Sequence, residues 1–543
     1  MSPEISTENA SLSIEDGLLG VYVRTALWYL LVVAICWALG IEASYGSPLP
    51  FYALLRPAVS TWVVPGLVVF LAALLLFAAA PRWQYISGGK HSRSAIVLVG
   101  ICGLLLAIVA FRFDLAARSG TILSLFLGYW KALRWHLLVL AVAAGFTVLF
   151  ARVLLTFHNV DTTPTGRSVA WSLAGLILFS FMFSGAVAML RDGPHGISQA
   201  YERQTYEFIG DIGRGRTIKG LLHDYVRIHP YLSMHAKVHP PGPIVLLWLM
   251  SYVAGREPLG LSLATMLLGS TGVIPLYFWA RDMTSKRTAL IGCLLYSLMP
   301  SIVLFTATSA DILFLPFVAT TLFLFWRAMD RSSIAYAAAA GISYGILSLL
   351  SFSLIGIGAF FGLVGLWRLA QKEYRASVFQ IAAVMLLAFL AVHLAVRFWS
   401  GFDVIACFRA CKSQFESDQI HLEAKDPRFP AWTWKFLNPM CWFYFAGIPV
   451  SVLFLWRLWR PEPNSRALFV ILGLTLIALD LLDLARGEGE RSAMYILPFV
   501  VLPAAHALQE IMARTRSCRP LIVTLGFLVV QCWITESVLY TFW

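Results

Sequence analysis

Between residues 191 and 243 the sequence reads RDGPHGISQAYERQTYEFIGDIGRGRTIKGLLHDYVRIHPYLSMHAKVHPPGP, a run of ionisable side chains in an otherwise apolar chain. It carries Asp192, Glu202, Glu207, Asp211 and Asp224, with His195, His223, His229, His235 and His239, five of the chain's eleven histidines. A carboxylate within hydrogen-bond reach of a hydroxyl can take its proton as that hydroxyl attacks. The plainer reading of each acid is a solvated loop carboxylate. The spacing His235-x3-His239 would put two imidazoles on one helical face, as metal-binding helices do. Pro230 and the run HPPGP at 239–243 leave little room for regular helix there. Further on, RGEGER at 486–491 sets Arg486 and Arg491 around Glu488 and Glu490 in a turn that its glycines let bend sharply. Guanidinium groups so placed can hold a phosphate bidentately. As merely exposed Arg–Glu pairs they would be worth only about 0–1 kcal/mol. Asp311 lies between two apolar runs, and ionisable residues in such places usually face a bundle interior or a pathway.

The elements that must position these groups cross a membrane. Hydrophobic residues make up 59% of the 543 and charged residues 13%, against about 25% charged in a soluble domain. Mean hydropathy is +0.75. Apolar runs recur at the length that crosses about 30 Å of hydrocarbon, and inside lipid such runs must be helices. The reading is an all-α polytopic protein of about fifteen spans: 21–41, 63–80, 95–111, 135–157, 168–190, 260–280, 288–306, 311–328, 333–351, 353–369, 377–398, 439–457, 467–484, 493–510 and 520–540. The run 244–254 is too short to cross and reads as interfacial or re-entrant. The first apolar run follows a polar, acidic N-terminus with no basic leader and is read as an anchor that stays.

Orientation follows from the short loops. Arg82, Lys90 and Arg93, then Arg281, Lys286 and Arg287, then Arg457, Arg460 and Arg466 fall on one side, which is read as cytoplasmic. Arg112, Arg118, Lys131 and Arg134 dissent, so the first four helices are the weakest part of the count. The long polar segments 191–243 and 399–438 and the turn 485–492 then lie outside. The net charge of +12 sits in these short clusters and not in a basic stripe with stacking aromatics, which argues against nucleic acid. Cys36, Cys102, Cys293, Cys441, Cys518 and Cys532 read as small buried apolar residues. Cys407 and Cys411 share one polar loop and could pair there if it faces an oxidising compartment.

A membrane helix, an external acid-bearing loop with juxtamembrane helices, a PP-containing elbow and then alternating helices follow one another in the order seen in GT-C glycosyltransferases. The chain resembles that superfamily over about 168–510, and within it the protein O-mannosyltransferase and aminoarabinose-transferase branch. The carrying residues are Tyr206–Asp211 (YEFIGD), His239–Pro243 (HPPGP), the SAD at 309–311 and RGEGER at 486–491. The resemblance implies a GT-C-like core at 168–510, an added N-terminal transmembrane module at 1–167 and a C-terminal transmembrane helix at 511–543. It implies hexosyl or pentosyl transfer, with inversion, from a polyprenyl-phosphate-linked sugar to a lipid, glycan or protein acceptor outside the cytoplasm. Membrane lipids are the other partners, a bacterial inner membrane is the expected location, and a divalent metal is an optional cofactor.

Many relatives place an adjacent acidic pair soon after the first core helix, and the loop here has no DE or DD dipeptide. The catalytic base must then be one of the separated acids. Asp211 stands first, because it closes YEFIGD and has Gly210 and Gly213 nearby to open space for an acceptor. Glu207 stands second, beside aromatics, and Asp192 third, at the membrane boundary next to Arg191. The resemblance makes Arg486 and Arg491 the clamp on carrier phosphate, with Glu488 or Glu490 orienting them or meeting a sugar hydroxyl. His235, His239 and Asp311 join as carrier- or substrate-binding residues. Two other classes compete: a transporter, whose halves and broken helices usually repeat, and a non-catalytic carrier-lipid-binding protein, which the missing acidic pair would suit.

Overall fold

The computed structural model describes residues 17–29, 31, 135–146, 165–425, 434–460, 465–482 and 489–538. Runs 63–80 and 95–111, parts of 21–41 and 135–157, and Arg486 and Glu488 therefore lie outside the described residues. Among the described residues the chain is helical, with no strand. Seven helices among the described residues are long and apolar enough to cross a membrane, or eight if one bent pair counts as a single span. The count of about fifteen is not reached among them: part of it lies outside the described residues, the runs 333–351 and 467–484 form helices of only 17 and 16 residues, and two further runs are broken. The apolar run 288–306 is split into Lys286–Tyr296 and Pro300–Phe305, where Pro300, lacking an N–H, starts a new helix. The run 439–457 breaks at Gly447 (φ +97°) into helices bent by 111°. The 13-residue helix Gly242–Ala254 is apolar but short, as its run of residues implies.

Packing gathers the helices around large buried rings. Trp279, Phe360 and Phe499 meet with centroids 5.3–6.2 Å apart and tie together three helices, Val273–Met283, Gly358–Leu369 and Leu497–Thr515. Where lipid surrounds a bundle, such close packing, more than water exclusion, holds helices together. The helix Arg375–Ser400 instead leaves Phe379, Leu387, Leu390 and Phe398 exposed, an apolar face of the kind that meets lipid.

Two close approaches bring the polar segments to one place. A side chain on Gly269 would collide with Ile312, so the helix Pro258–Ser270 lets the 3-10 turn Ala310–Phe314 lie directly against it. A side chain on Gly242 would collide with the carbonyl of Leu349, at the end of the helix Ile334–Leu350. The glycine of HPPGP thus serves backbone contact with a distant helix, and the two prolines before it make the elbow.

Candidate active site

The segment after the helix Gly166–Asp192 folds by pairing with itself. His195–Glu202 is helical, Phe208–Asp211 makes a 3-10 turn, and Ile218–Ile228 is a second helix, its start capped by Thr217 Oγ1 accepting from Gly220 N. The backbone N–H groups of Met234 and His235 donate to the carbonyls of Thr205 and Tyr206 at 3.1 and 3.0 Å. That register sets Glu207 beside His235. Tyr225 Oη donates to the carbonyls of Ala236 and His239, holding the elbow down on the second helix.

Glu207, His235, Arg491 and Asp311 then form one chain of contacts. His235 Nδ1 lies 3.1 Å from Glu207 Oε1, and its Nε2 lies 3.2 Å from Arg491 Nη2. Arginine can only donate, so Nε2 is the acceptor, and the neutral ring carries its proton on Nδ1, toward Glu207. Arg491 Nη1 donates to Asp311 Oδ2 at 3.1 Å, and Ser309 Oγ donates to the same oxygen at 2.9 Å. Glu207 is 2% exposed and Arg491 7%. Charges this far from water persist only when paired and hydrogen-bonded.

These groups line a cavity of about 100 Å³, walled also by Phe208, His239, Phe314, Ser351, Ser353, Leu354, Ser492 and Tyr495. His239 Nδ1 donates to the carbonyl of His235 at 2.9 Å, and its ring stands edge-on to Phe208. Burial, the largest influence, holds its pKa below the usual histidine range, so it lines the cavity as a neutral ring. Two lining atoms, Glu207 Oε2 and Ser492 Oγ, are buried without a hydrogen-bond partner among the described residues. Buried polar groups are rarely left so. Where they line a cavity, a ligand is the natural partner.

Of the residues singled out from the sequence, the cavity brings together Glu207, His235, His239, Asp311 and Arg491. Asp211 lies outside it. Its carboxylate, fully buried, accepts from Ser233 N at 2.9 Å and pairs with Arg214 Nε at 2.6 Å. Gly210 opens no space for an acceptor, since the Gln204 carbonyl occupies the place of a side chain, and Gly213 (φ +89°) makes a turn. Asp192 is 60% exposed and sits 4.0 Å from His195 Nε2. Glu490 is turned to Cys441, whose thiol donates to its Oε2 at 3.3 Å. The sequence reading missed the serines Ser351, Ser353 and Ser492. A signal for the first two was present, a polar break where the runs 333–351 and 353–369 meet.

Asp211 as placed holds the loop. Asp211→Ala would leave Ser233 N–H without its partner, a cost of about 1–3 kcal/mol. The expected result is a lower melting temperature and faster proteolysis between 203 and 235 in the purified protein. Unchanged melting and cleavage with abolished turnover would put Asp211 in the chemistry instead.

Among the described residues no group of three His, Cys, Asp or Glu side chains is arranged to hold a metal ion. His235 and His239 do not share a helical face: a 3-10 turn, Ala236–Val238, separates them, and His239 is extended.

Residues 238–398 match the family model described as dolichyl-phosphate-mannose-protein mannosyltransferase. The matched stretch holds His239, Asp311 and both cavity serines of the 351–353 break, while Glu207 and Arg491 lie on either side of it. The resemblance to GT-C glycosyltransferases stands on this mannosyltransferase match. With the apolar helices it supports a membrane glycosyltransferase of the GT-C type. No curated protein matches the chain by sequence. One similar solved structure is the crystal structure of the Archaeoglobus fulgidus oligosaccharyltransferase complex with Zn and sulfate. It is 15% identical, with a TM-score of 0.39 over 55% of this chain. The match spans 45% of that protein's length.

Proposed function

We propose that the chain transfers a sugar from a polyprenyl-phosphate carrier to a hydroxyl on a lipid, glycan or protein acceptor, on the extracytoplasmic face of its membrane. The observation that carries this reading is Glu207 Oε2, a buried carboxylate oxygen without a partner in a cavity that also holds a fixed guanidinium. The acceptor hydroxyl gives its proton to Oε2 as its oxygen attacks C1 of the sugar. His235, donating to Oε1, keeps the carboxylate turned to that task. The carrier phosphate leaves with the electrons of the C1–O bond, and Arg491 supplies the positive charge that its departure needs. Asp311 and His235 hold the guanidinium in one orientation, so no reorganisation accompanies the step. In-line attack with one base inverts the anomeric centre. Ser351, Ser353 and Ser492 offer hydroxyls to the sugar.

Purified protein incubated with a panel of polyprenyl-phosphate hexoses and pentoses should consume at least one of them when an acceptor mixture is present, and the anomeric configuration of the product should be opposite to that of the donor. If no donor is consumed while reconstituted vesicles move a solute, the chain is a transporter. Sidedness has its own measurement. In a cysteine-free background an impermeant maleimide on intact cells should label Lys219→Cys and spare Lys286→Cys, both positions being exposed. The reverse pattern would turn the site to the cytoplasm.

A further inference from the structure

The helix Val404–Lys425 holds two buried free cysteines that the transfer chemistry does not use. Cys407 and Cys411 stand one turn apart, with their sulfurs 3.9 Å from each other. Cys411 Sγ also donates to the carbonyl of His239 at 3.4 Å, and His239 lines the cavity. A third group completes the cluster. His229 Nε2 is held by the Lys237 carbonyl at 2.8 Å, and the ring also hydrogen-bonds Cys411. Cys293 and Cys532 differ from this nest: each donates to a backbone carbonyl inside the helix bundle, of Val273 and Leu298.

We propose that Cys407 and Cys411 are a redox-active dithiol whose closure to a disulfide displaces the His239 backbone at the cavity. The hydrogen bond from Cys407, and after it that from His229, holds the Cys411 sulfur below the usual thiol range. A larger thiolate fraction makes Cys411 the attacking sulfur. The oxidant is a disulfide, R–S–S–R. The Cys411 thiolate attacks one of its sulfurs and expels RS⁻, leaving a mixed disulfide. Cys407 then gives its proton to the departing thiolate and attacks the Cys411 sulfur, expelling the second RS⁻. Two cysteine thiols are oxidised, one disulfide is reduced, and two RSH are formed.

Closure has a mechanical consequence. The sulfurs must come from 3.9 Å to about 2.05 Å. Side chains four apart on a helix have Cβ atoms roughly 5–6 Å apart, whereas a disulfide needs about 3.5–4.5 Å. The turn between the two cysteines, the second of the helix, has to widen locally, since tighter winding would lengthen the rise between residues four apart. The turn just before it can follow, because it is held mainly by its cap, Asp403 Oδ1 accepting from Ile405 N and Ala406 N. Closure also consumes the Cys411 proton that His239 accepts, so the elbow loses one of the two side chains donating to that carbonyl, the other being Tyr225. Both sulfurs are covered in the reduced form, so exchange proceeds through opening of this turn.

Closure itself is independent of the transferase reading; only its effect on turnover rests on it. The full-length protein would be equilibrated with oxidised glutathione or with dithiothreitol, denatured, alkylated and cut with trypsin. Cleavage at Arg409, between the two cysteines, gives the oxidised form a distinctive product, two peptides joined by one disulfide. We expect that product in the wild type, and a glutathione adduct on Cys411 in Cys407→Ser. Sugar transfer should change several-fold on oxidation and recover with dithiothreitol. Two alkylated cysteines after prolonged oxidation would overturn the proposal. A disulfide that forms with no change in transfer by an active protein would overturn the link to the cavity. If the protein shows no transfer in either state, the peptide product alone decides the redox site.

Discussion

Glu207→Gln should lower sugar transfer by about 10²–10⁴-fold, the usual cost of removing a general base, while binding of a polyprenyl-phosphate analogue changes little. The substitution keeps the shape of the side chain. Its amide oxygen can still accept from His235 Nδ1, now 3.1 Å from Glu207 Oε1, so the loop register set by the Thr205–Met234 and Tyr206–His235 backbone bonds is retained. What disappears is the proton acceptor at Oε2. Asp192→Asn is the matched comparison: that side chain is 60% exposed and outside the cavity, and its loss should leave turnover near normal. Turnover would be measured with saturating donor, together with a melting curve to show that each variant is folded. Near-normal turnover in Glu207→Gln would remove the proposed base. Abolished turnover in Asp192→Asn would move the chemistry to the membrane boundary.

The difference between Asp211 and Glu207 shows where reading the residues reaches its limit. Both acids belong to YEFIGD, and only the fold separates them. Glu207 faces His235 because two backbone hydrogen bonds set the register of two turns about 30 residues apart in the chain. Asp211, four residues on, turns to Ser233 and Arg214. Nothing in composition or spacing encodes that pairing. Asp311 stands out for a different reason, whereas His239 and Arg491 enter through their motifs and the resemblance. Ionisable groups at the ends of apolar runs have few places to go except the interior of the bundle, and there they meet. Helices behaved in the same way. The run 168–190 corresponds to Gly166–Leu190 and 377–398 to Lys372–Ser400, because length and hydropathy are local properties. The bend at Gly447 depends on a neighbouring helix: a side chain on Gly447 would collide with Leu528 of the helix Arg519–Val538.

Arg491→Lys should reduce transfer by roughly 10–100-fold despite the unchanged charge, the equivalent of one hydrogen bond to a charged group at about 1.5–3 kcal/mol. The planar fork of Arg491 reaches Asp311 through Nη1 and His235 through Nη2, at 3.1 and 3.2 Å. A single ammonium on a flexible stem cannot hold both directions at once. The lysine would keep the nearer carboxylate and release His235, which then no longer fixes Glu207. Loss should therefore appear in turnover as well as in affinity for a polyprenyl-phosphate analogue, both measured at one salt concentration. If Arg491 met only the carrier phosphate, affinity alone would fall. A double-mutant cycle with Asp311→Asn separates the possibilities further, since residues that act through one contact are non-additive. If Asp311 works by orienting Arg491, adding Asp311→Asn to Arg491→Lys should cost less than it does in the wild type. Full additivity would make the Asp311–Arg491 pair a bundle contact, with the guanidinium oriented by His235 alone.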